Sequence, residues 1–246
     1  MNRRPTTTTI LAPAPGERVV VEQILLDPMG RGDRPGFLFL HGLGSVRAGE
    51  KSEALLAHAR AAGRAFTRFD FRGHGESTGT IGVVTMSELL VDAGLVLDLA
   101  GPSILVGSSL GALVAAHLAA SRPHDVKGLA LLAPAFGFLP RMRQRLDRAG
   151  RMQTSEGMSF AVHERALADA ARHDESGLPG RLPMPVFLAH GTDDELVPSS
   201  LSSAFFNAIP HSDKDLWIVE GGNHRLNREI HEILQRMQAL FTRCGL

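Results

Sequence analysis

The sequence predicts an α/β fold, a mostly parallel central sheet flanked by helices and carrying a small lid insertion. Three observations predict it. First, short apolar runs stop at turn residues, as strands buried on both faces do. They are Phe37 to Leu40 before His41-Gly42, Ile104 to Val106 before Gly107-Ser108, and Val186 to Ala189 before His190-Gly191. Second, stretches of helical periodicity separate them, and such alternation argues for a parallel sheet covered on both sides. Third, 246 residues with a hydrophobic share of 43% suit one domain with a sizeable core.

Taken in order, Met1 to Gly16 holds two arginines, four threonines and three prolines. It reads as a flexible leader over 1–16, leaving 17–246 as the domain. Arg18 to Leu26 reads as one or two strands at the sheet edge. Ala65 to Phe71, Val126 to Ala133 and Asp215 to Val219 supply further strands. Helical periodicity marks Glu50 to Ala62, Thr85 to Leu99, Leu110 to Ser121, Ser199 to Ala208 and Arg225 to Phe241.

One interval breaks the rhythm. Pro134 to Met184 spans about fifty positions, more than a crossover helix requires. Phe160 to His173 supplies the ordinary crossover helix, so Ala135 to Ser159 is inserted and the lid region extends over about 135–180. Phe136, Phe138, Met142, Met152, Met158 and Phe160 there suit either an apolar acyl chain or packing of the lid onto the body. The interleaved arginines read as a solvated face, or as partners for an anionic part of a substrate.

Composition excludes several classes. Lys plus Arg and Asp plus Glu both number 26, so the basic excess of a nucleic-acid binder is missing. Cys244 is the only cysteine, so no internal disulfide forms and a reducing, cytoplasmic location is expected. The N-terminal residues lack the apolar core of a secretory signal, and no run approaches the roughly 18 apolar residues of a membrane span.

In folds of this class the chemistry sits just after the strands. Gly107-Ser108-Ser109-Leu110-Gly111 matches G-x-S-x-G between a strand and a helix. That pattern lifts one hydroxyl above the sheet edge on a strained turn, with glycines where backbones pass closely. Ser109 occupies the nucleophile position and Ser108 the variable one. A serine needs a base, and the base an orienting acid, in the chain order Ser, Asp or Glu, His. Two later post-strand loops offer them: His190-Gly191-Thr192-Asp193-Asp194-Glu195, and Gly222-Asn223-His224.

These motifs jointly resemble the α/β-hydrolase superfamily over nearly the whole chain. His41-Gly42-Leu43-Gly44 resembles its oxyanion loop and Asp70-Phe71-Arg72-Gly73-His74-Gly75-Glu76-Ser77 its D-x-R-G-H-G-x-S loop. Gly191 to Pro198 resembles the acid loop G-x-x-D-x-x-V-P. The wording from Gly101 to Gly111, with His224-Arg225-Leu226, is similar to the subgroup that contains the mitochondrial palmitoyl-protein thioesterase. The resemblance implies Ser109 as nucleophile, His224 as base and Asp194 as acid, with Asp193 the rival one residue away. It implies the backbone N–H groups of Leu43 and Leu110 as the oxyanion hole.

The resemblance also implies cleavage of carboxylic ester or thioester bonds in a small-molecule or acylated substrate, through an acyl-enzyme. No metal or organic cofactor is implied. His41, His74 and His190 lack ligand spacing and read as loop-shaping residues, as do Asp70 and Glu76. Cys244 has nothing near it to activate a thiol. The same fold hosts amidases and C–C hydrolases, and a non-catalytic ligand receptor on this scaffold is the rival from another class.

Overall fold

The computed structural model describes residues 6–25 and 34–246. Its centre is an eight-stranded sheet in the order β1-β2-β4-β3-β5-β6-β9-β10. These strands are β1 (Thr6–Leu11), β2 (Val19–Ile24), β3 (Gly36–Leu40), β4 (Phe66–Asp70), β5 (Ser103–Ser108), β6 (Val126–Leu132), β9 (Val186–Gly191) and β10 (Lys214–Val219). Pairing is antiparallel from β1 to β2 and from β2 to β4, and parallel across the rest.

The apolar runs are continuous because each strand feeds two cores. Successive side chains of a strand point to opposite faces. Thus Leu38 and Leu40 of β3 enter the core that holds Leu105 and Leu131, while Phe37 and Phe39 enter the core that holds Ile104 and Phe187. Helices α2 (Met86–Ala100), α3 (Leu110–Ser121) and α6 (Ser199–Ala208) cover the first face; α1 (Glu50–Ala61) and α7 (Ile230–Arg243) cover the second. In α7 the buried residues Ile230, Ile233, Leu234, Met237, Leu240 and Phe241 recur at helical spacing and form one stripe. Thr85 caps α2 through a reciprocal box: its hydroxyl accepts from Glu88 N at 3.2 Å, while Glu88 Oε2 accepts from Thr85 N at 2.8 Å.

Strand β4 lies on one side of β3 and β5 on the other, so the chain reverses direction across the sheet there. Such switch points open a crevice beyond the carboxyl ends of the strands. Gly42 and Leu43 follow β3 into that crevice, and Ser109 follows β5.

Three expectations are corrected. The leader is not wholly irregular, because Thr6–Leu11 pairs along its length with β2. Four β-branched threonines followed by Ile10 and Leu11 suit an exposed pleated ribbon whose gain is backbone pairing. In consequence β2 is second from the edge; Leu26, assigned to it in advance, and Met1 to Pro5 lie outside the described residues. Phe160 is not helical: it belongs to β8 (Ser159–Ala161), which pairs antiparallel with β7 (Arg151–Gln153) in a separate two-stranded sheet. The helix of that region, α5, covers only Glu164–Ala170, with His163 Nδ1 accepting from Arg165 N at 3.2 Å as its cap. Finally, α7 begins at Ile230, and Arg225 to Glu229 form the turn that leads into it.

Before the hairpin, the short helix α4 (Phe138–Arg141) and a 3₁₀ turn over Met142–Arg145 complete the lid region. Among the described residues, no helix is long and apolar enough to cross a membrane.

Candidate active site

Ser109 sits at the tip of the β5–α3 turn with φ 54° and ψ −117°, a conformation L-residues rarely adopt. The turn is that tight only because its flanking glycines lack a side chain. A Cβ on Gly107 would strike the backbone of Gly111 and Ala112, and one on Gly111 would strike the carbonyls of Leu40 and His41. Leu110 is the first residue of α3, so its N–H is among the donors that a helix start leaves without an intrahelical partner. Leu43 and Leu110 both border the cavity on which the Ser109 side chain opens.

The two later loops converge on this turn. His224 Nε2 lies 2.8 Å from Ser109 Oγ, and His224 Nδ1 lies 2.6 Å from Asp194 Oδ2. The second oxygen, Asp194 Oδ1, accepts from Leu196 N and Val197 N, each at 2.9 Å. Asp193, the rival, is exposed and accepts from Thr192 Oγ1 at 3.1 Å, away from the histidine. Ser108 is buried in the strand end. The loops after β9 and β10 touch backbone to backbone, since a Cβ on Gly191 would collide with Gly222 O. That contact fixes the separation of Asp194 from His224.

One partner was not legible beforehand. His190, fully buried, has Nε2 at 2.9 Å from the same Asp194 Oδ2 and at 3.0 Å from Val197 O, and Nδ1 at 2.7 Å from Ser202 Oγ. Both neighbours of Nε2 are acceptors, so that nitrogen carries the proton. Burial alone would raise the Asp194 carboxyl; hydrogen bonds from His190 and His224, with backbone donors, overcome it and hold the group well below the usual carboxylate range.

The other histidines and the D-x-R-G-H-G-x-S loop hold the surroundings. His41 accepts from Phe71 N at 3.1 Å through Nε2 and donates to Gly42 O at 2.8 Å through Nδ1; burial lowers it to about 3, so it stays neutral. His74 bonds Arg72 O at 3.1 Å and is likewise lowered by burial. Asp70 accepts from Arg47 N at 2.7 Å and from Glu76 N at 3.1 Å, and pairs with the Arg47 guanidinium, which also holds Glu76. Arg72 Nε donates to buried Asp92 Oδ1 at 2.7 Å, tying this loop to α2. Burial pushes the Cys244 thiol up, away from reactivity.

Two cavities meet Ser109 and His224 from different sides. One, of about 220 Å³, has an apolar side of Leu43, Leu110, Phe138, Met152, Leu196 and Val197, with Arg145, Gln153, Thr154 and Ser155 also at its wall. The other, of about 90 Å³, is polar and bordered by Lys51, Glu156, Arg225 and Asn227. Burial, then nearby Arg225, lowers Lys51 to about 8. The lid residues divide their work: Phe136 packs, stacked on Phe205 at 4.1 Å between ring centres, whereas Phe138 and Met152 line the apolar cavity. Arg143 pairs with Glu164 at the surface, but Arg145 borders the cavity, stands 6.0 Å from the Phe138 ring centre and bonds Leu196 O. Lid and acid loop are thus tied at the rim.

An eight-stranded, mostly parallel sheet with Ser109, Asp194 and His224 in the loops after its strands has the architecture of the α/β-hydrolase class. The profile of the serine aminopeptidase S33 family (Hydrolase_4) matches residues 34–178 and 161–231, and the chain belongs to that family within the α/β-hydrolase superfamily. It is 30% identical over 221 residues to the mitochondrial palmitoyl-protein thioesterase ABHD10 of Rattus norvegicus, covering 83% of this chain and 74% of the relative. It is also 30% identical over 197 residues to the pimeloyl-[acyl-carrier protein] methyl ester esterase of Chromobacterium violaceum, covering 72% and 68%. The solved structure of mouse alpha/beta hydrolase domain-containing protein 10 superposes with a TM-score of 0.82 at 26% identity, over 97% of this chain and 99% of that one.

Proposed function

We propose that this hydrolase cleaves carboxylic ester or thioester bonds through an acyl-enzyme on Ser109. The observation that carries the reading is the continuous path from Ser109 Oγ through His224 to Asp194, with contacts of 2.8 and 2.6 Å. Ser109 Oγ attacks the acyl carbon while His224 Nε2 takes its proton. The oxyanion so formed is met by the N–H groups of Leu43 and Leu110, and losing one such donor typically costs about 3–4 kcal/mol. Collapse expels the alcohol or thiol, protonated by His224. Water then attacks the acyl-enzyme, His224 taking its proton and returning it to Ser109 as the carboxylic acid leaves.

The cavities orient the substrate. The acyl group takes the apolar side under the lid, and the leaving group takes the polar side beside α1. Relatives named for thioester and methyl ester cleavage point the same way. Their names place the thioesterases in mitochondria, whereas the composition here points only to a reducing compartment; fractionation of cells expressing a tagged chain decides between cytoplasm and organelle.

The test is hydrolysis of matched p-nitrophenyl esters and acyl thioesters by wild type and Ser109→Ala. Loss of activity in the variant, with fluorophosphonate labelling lost in parallel, upholds the serine mechanism. Equal inactivity of both proteins on both series overturns it, and directs attention to amide and C–C substrates or to a ligand receptor.

A further inference from the structure

Adjoining the apolar cavity is a further hollow of about 40 Å³. It is lined by Met86 and Leu89 of α2, Ala166 and Ala170 of α5, and Phe160 of the hairpin. Its roof is pinned: His163 N donates to Gly82 O at 2.8 Å, and Gly82 packs so closely on Ala161 that a Cβ there would strike the Ala161 carbonyl. Burial lowers His74, its one ionisable wall residue, and so disfavours a charge there. The void exceeds the space of about one probe sphere that a water needs, and an apolar hollow of this kind is normally closed by packing.

Leu43, Leu110 and Phe138 border both spaces. Leu43 and Leu110 are held by the loop after β3 and by the start of α3. Phe138 is different. It opens a helix of four residues just after Gly137, whose φ is +69°, and its ring is only half-buried, with Arg145 at 6.0 Å.

We propose that Phe138 divides a two-compartment acyl site, and that the compartment between α2, α5 and the hairpin receives the distal end of long acyl chains. This rests on the acyl-enzyme reading above and adds the second compartment and the residue that controls entry to it. Short acyl groups stop before Phe138. Longer ones displace its ring and bury their terminal methylenes against Met86, Leu89 and Ala166, a gain proportional to the apolar area removed from water.

The experiment measures kcat/KM for p-nitrophenyl acetate, octanoate and dodecanoate with wild type, Phe138→Ala and Ala166→Leu. Phe138→Ala is expected to raise the dodecanoate-to-acetate ratio about tenfold, and Ala166→Leu, which fills the far compartment, to lower it by a similar factor. Combining the two should abolish the gain. In parallel, binding of butanoate, octanoate and dodecanoate to Ser109→Ala and Ser109→Ala/Ala166→Leu reads the compartment without turnover. Weakened dodecanoate binding with butanoate binding retained upholds the compartment even if no ester is cleaved. Ratios and affinities unchanged by either substitution, with wild-type melting temperatures, overturn the proposal, as does an Ala166→Leu loss equal at every chain length.

Discussion

His190 and His224 reach the same oxygen atom: Oδ2 of Asp194 lies 2.9 Å from His190 Nε2 and 2.6 Å from His224 Nδ1. An oxygen that accepts two N–H donors spreads its charge between them and supports the cation on either one less strongly. His190→Phe should therefore concentrate the Asp194 charge on His224. The acidic limb of the kcat/KM profile is expected to move to higher pH by on the order of one unit. His190→Gln, which keeps an N–H donor, should move it less. An unmoved limb in a folded His190→Phe variant would assign His190 to packing alone.

Substitution is expected to separate the roles of Asp194 and Asp193. Asp194→Asn keeps the shape but cannot support the protonated base, and kcat is expected to fall by about 10⁴. Asp193→Asn, at an exposed side chain bonded to Thr192, should stay within a few-fold of wild type. Steady-state kinetics on one p-nitrophenyl ester suffices, and the reverse ranking would transfer the acid role.

Lys51 provides a stability test with a definite sign. Burial lowers its amine to about 8, below the unfolded value near 10.4. The cost of burying the cation is therefore fully present below pH 8 and is relieved as pH rises from there towards the unfolded value. Lys51→Met is expected to stabilise the fold at pH 7 by up to about 3 kcal/mol, with the advantage shrinking towards pH 10. Urea denaturation at both pH values measures it, and a pH-independent difference would contradict the assignment.

The β5–α3 turn permits no methyl group at Gly111. A Cβ there meets two backbone carbonyls, which cannot rotate aside as a side chain would. Gly111→Ala should cost about 3 kcal/mol or more. Gly94→Ala on α2, where the added Cβ meets nothing within 4 Å, serves as the matched control and should be neutral or stabilising.

The interior strands were legible because burial on both faces leaves an uninterrupted apolar run, and Ser109, Asp194 and His224 because each follows such a run at a turn. Strand β1 was not, since its exposed threonines carry no core-facing alternation and its order comes from pairing with β2. The hairpin strands have three residues each, too few to show a period, although Met152 and Phe160 do turn inward between exposed neighbours. The links from His190 to Asp194 and from Arg72 to Asp92 depend on how loops fold back, which residue spacing alone does not encode.

The β7–β8 hairpin pairs with itself and contributes no strand to the main sheet. Its pairing is therefore independent of the register of the eight main strands, and it is fastened to the body at Gly82, which accepts from His163 N and packs on Ala161. Substitutions that spare this fastening can reshape the space above Ser109 without moving the loops that hold Ser109, Asp194 and His224.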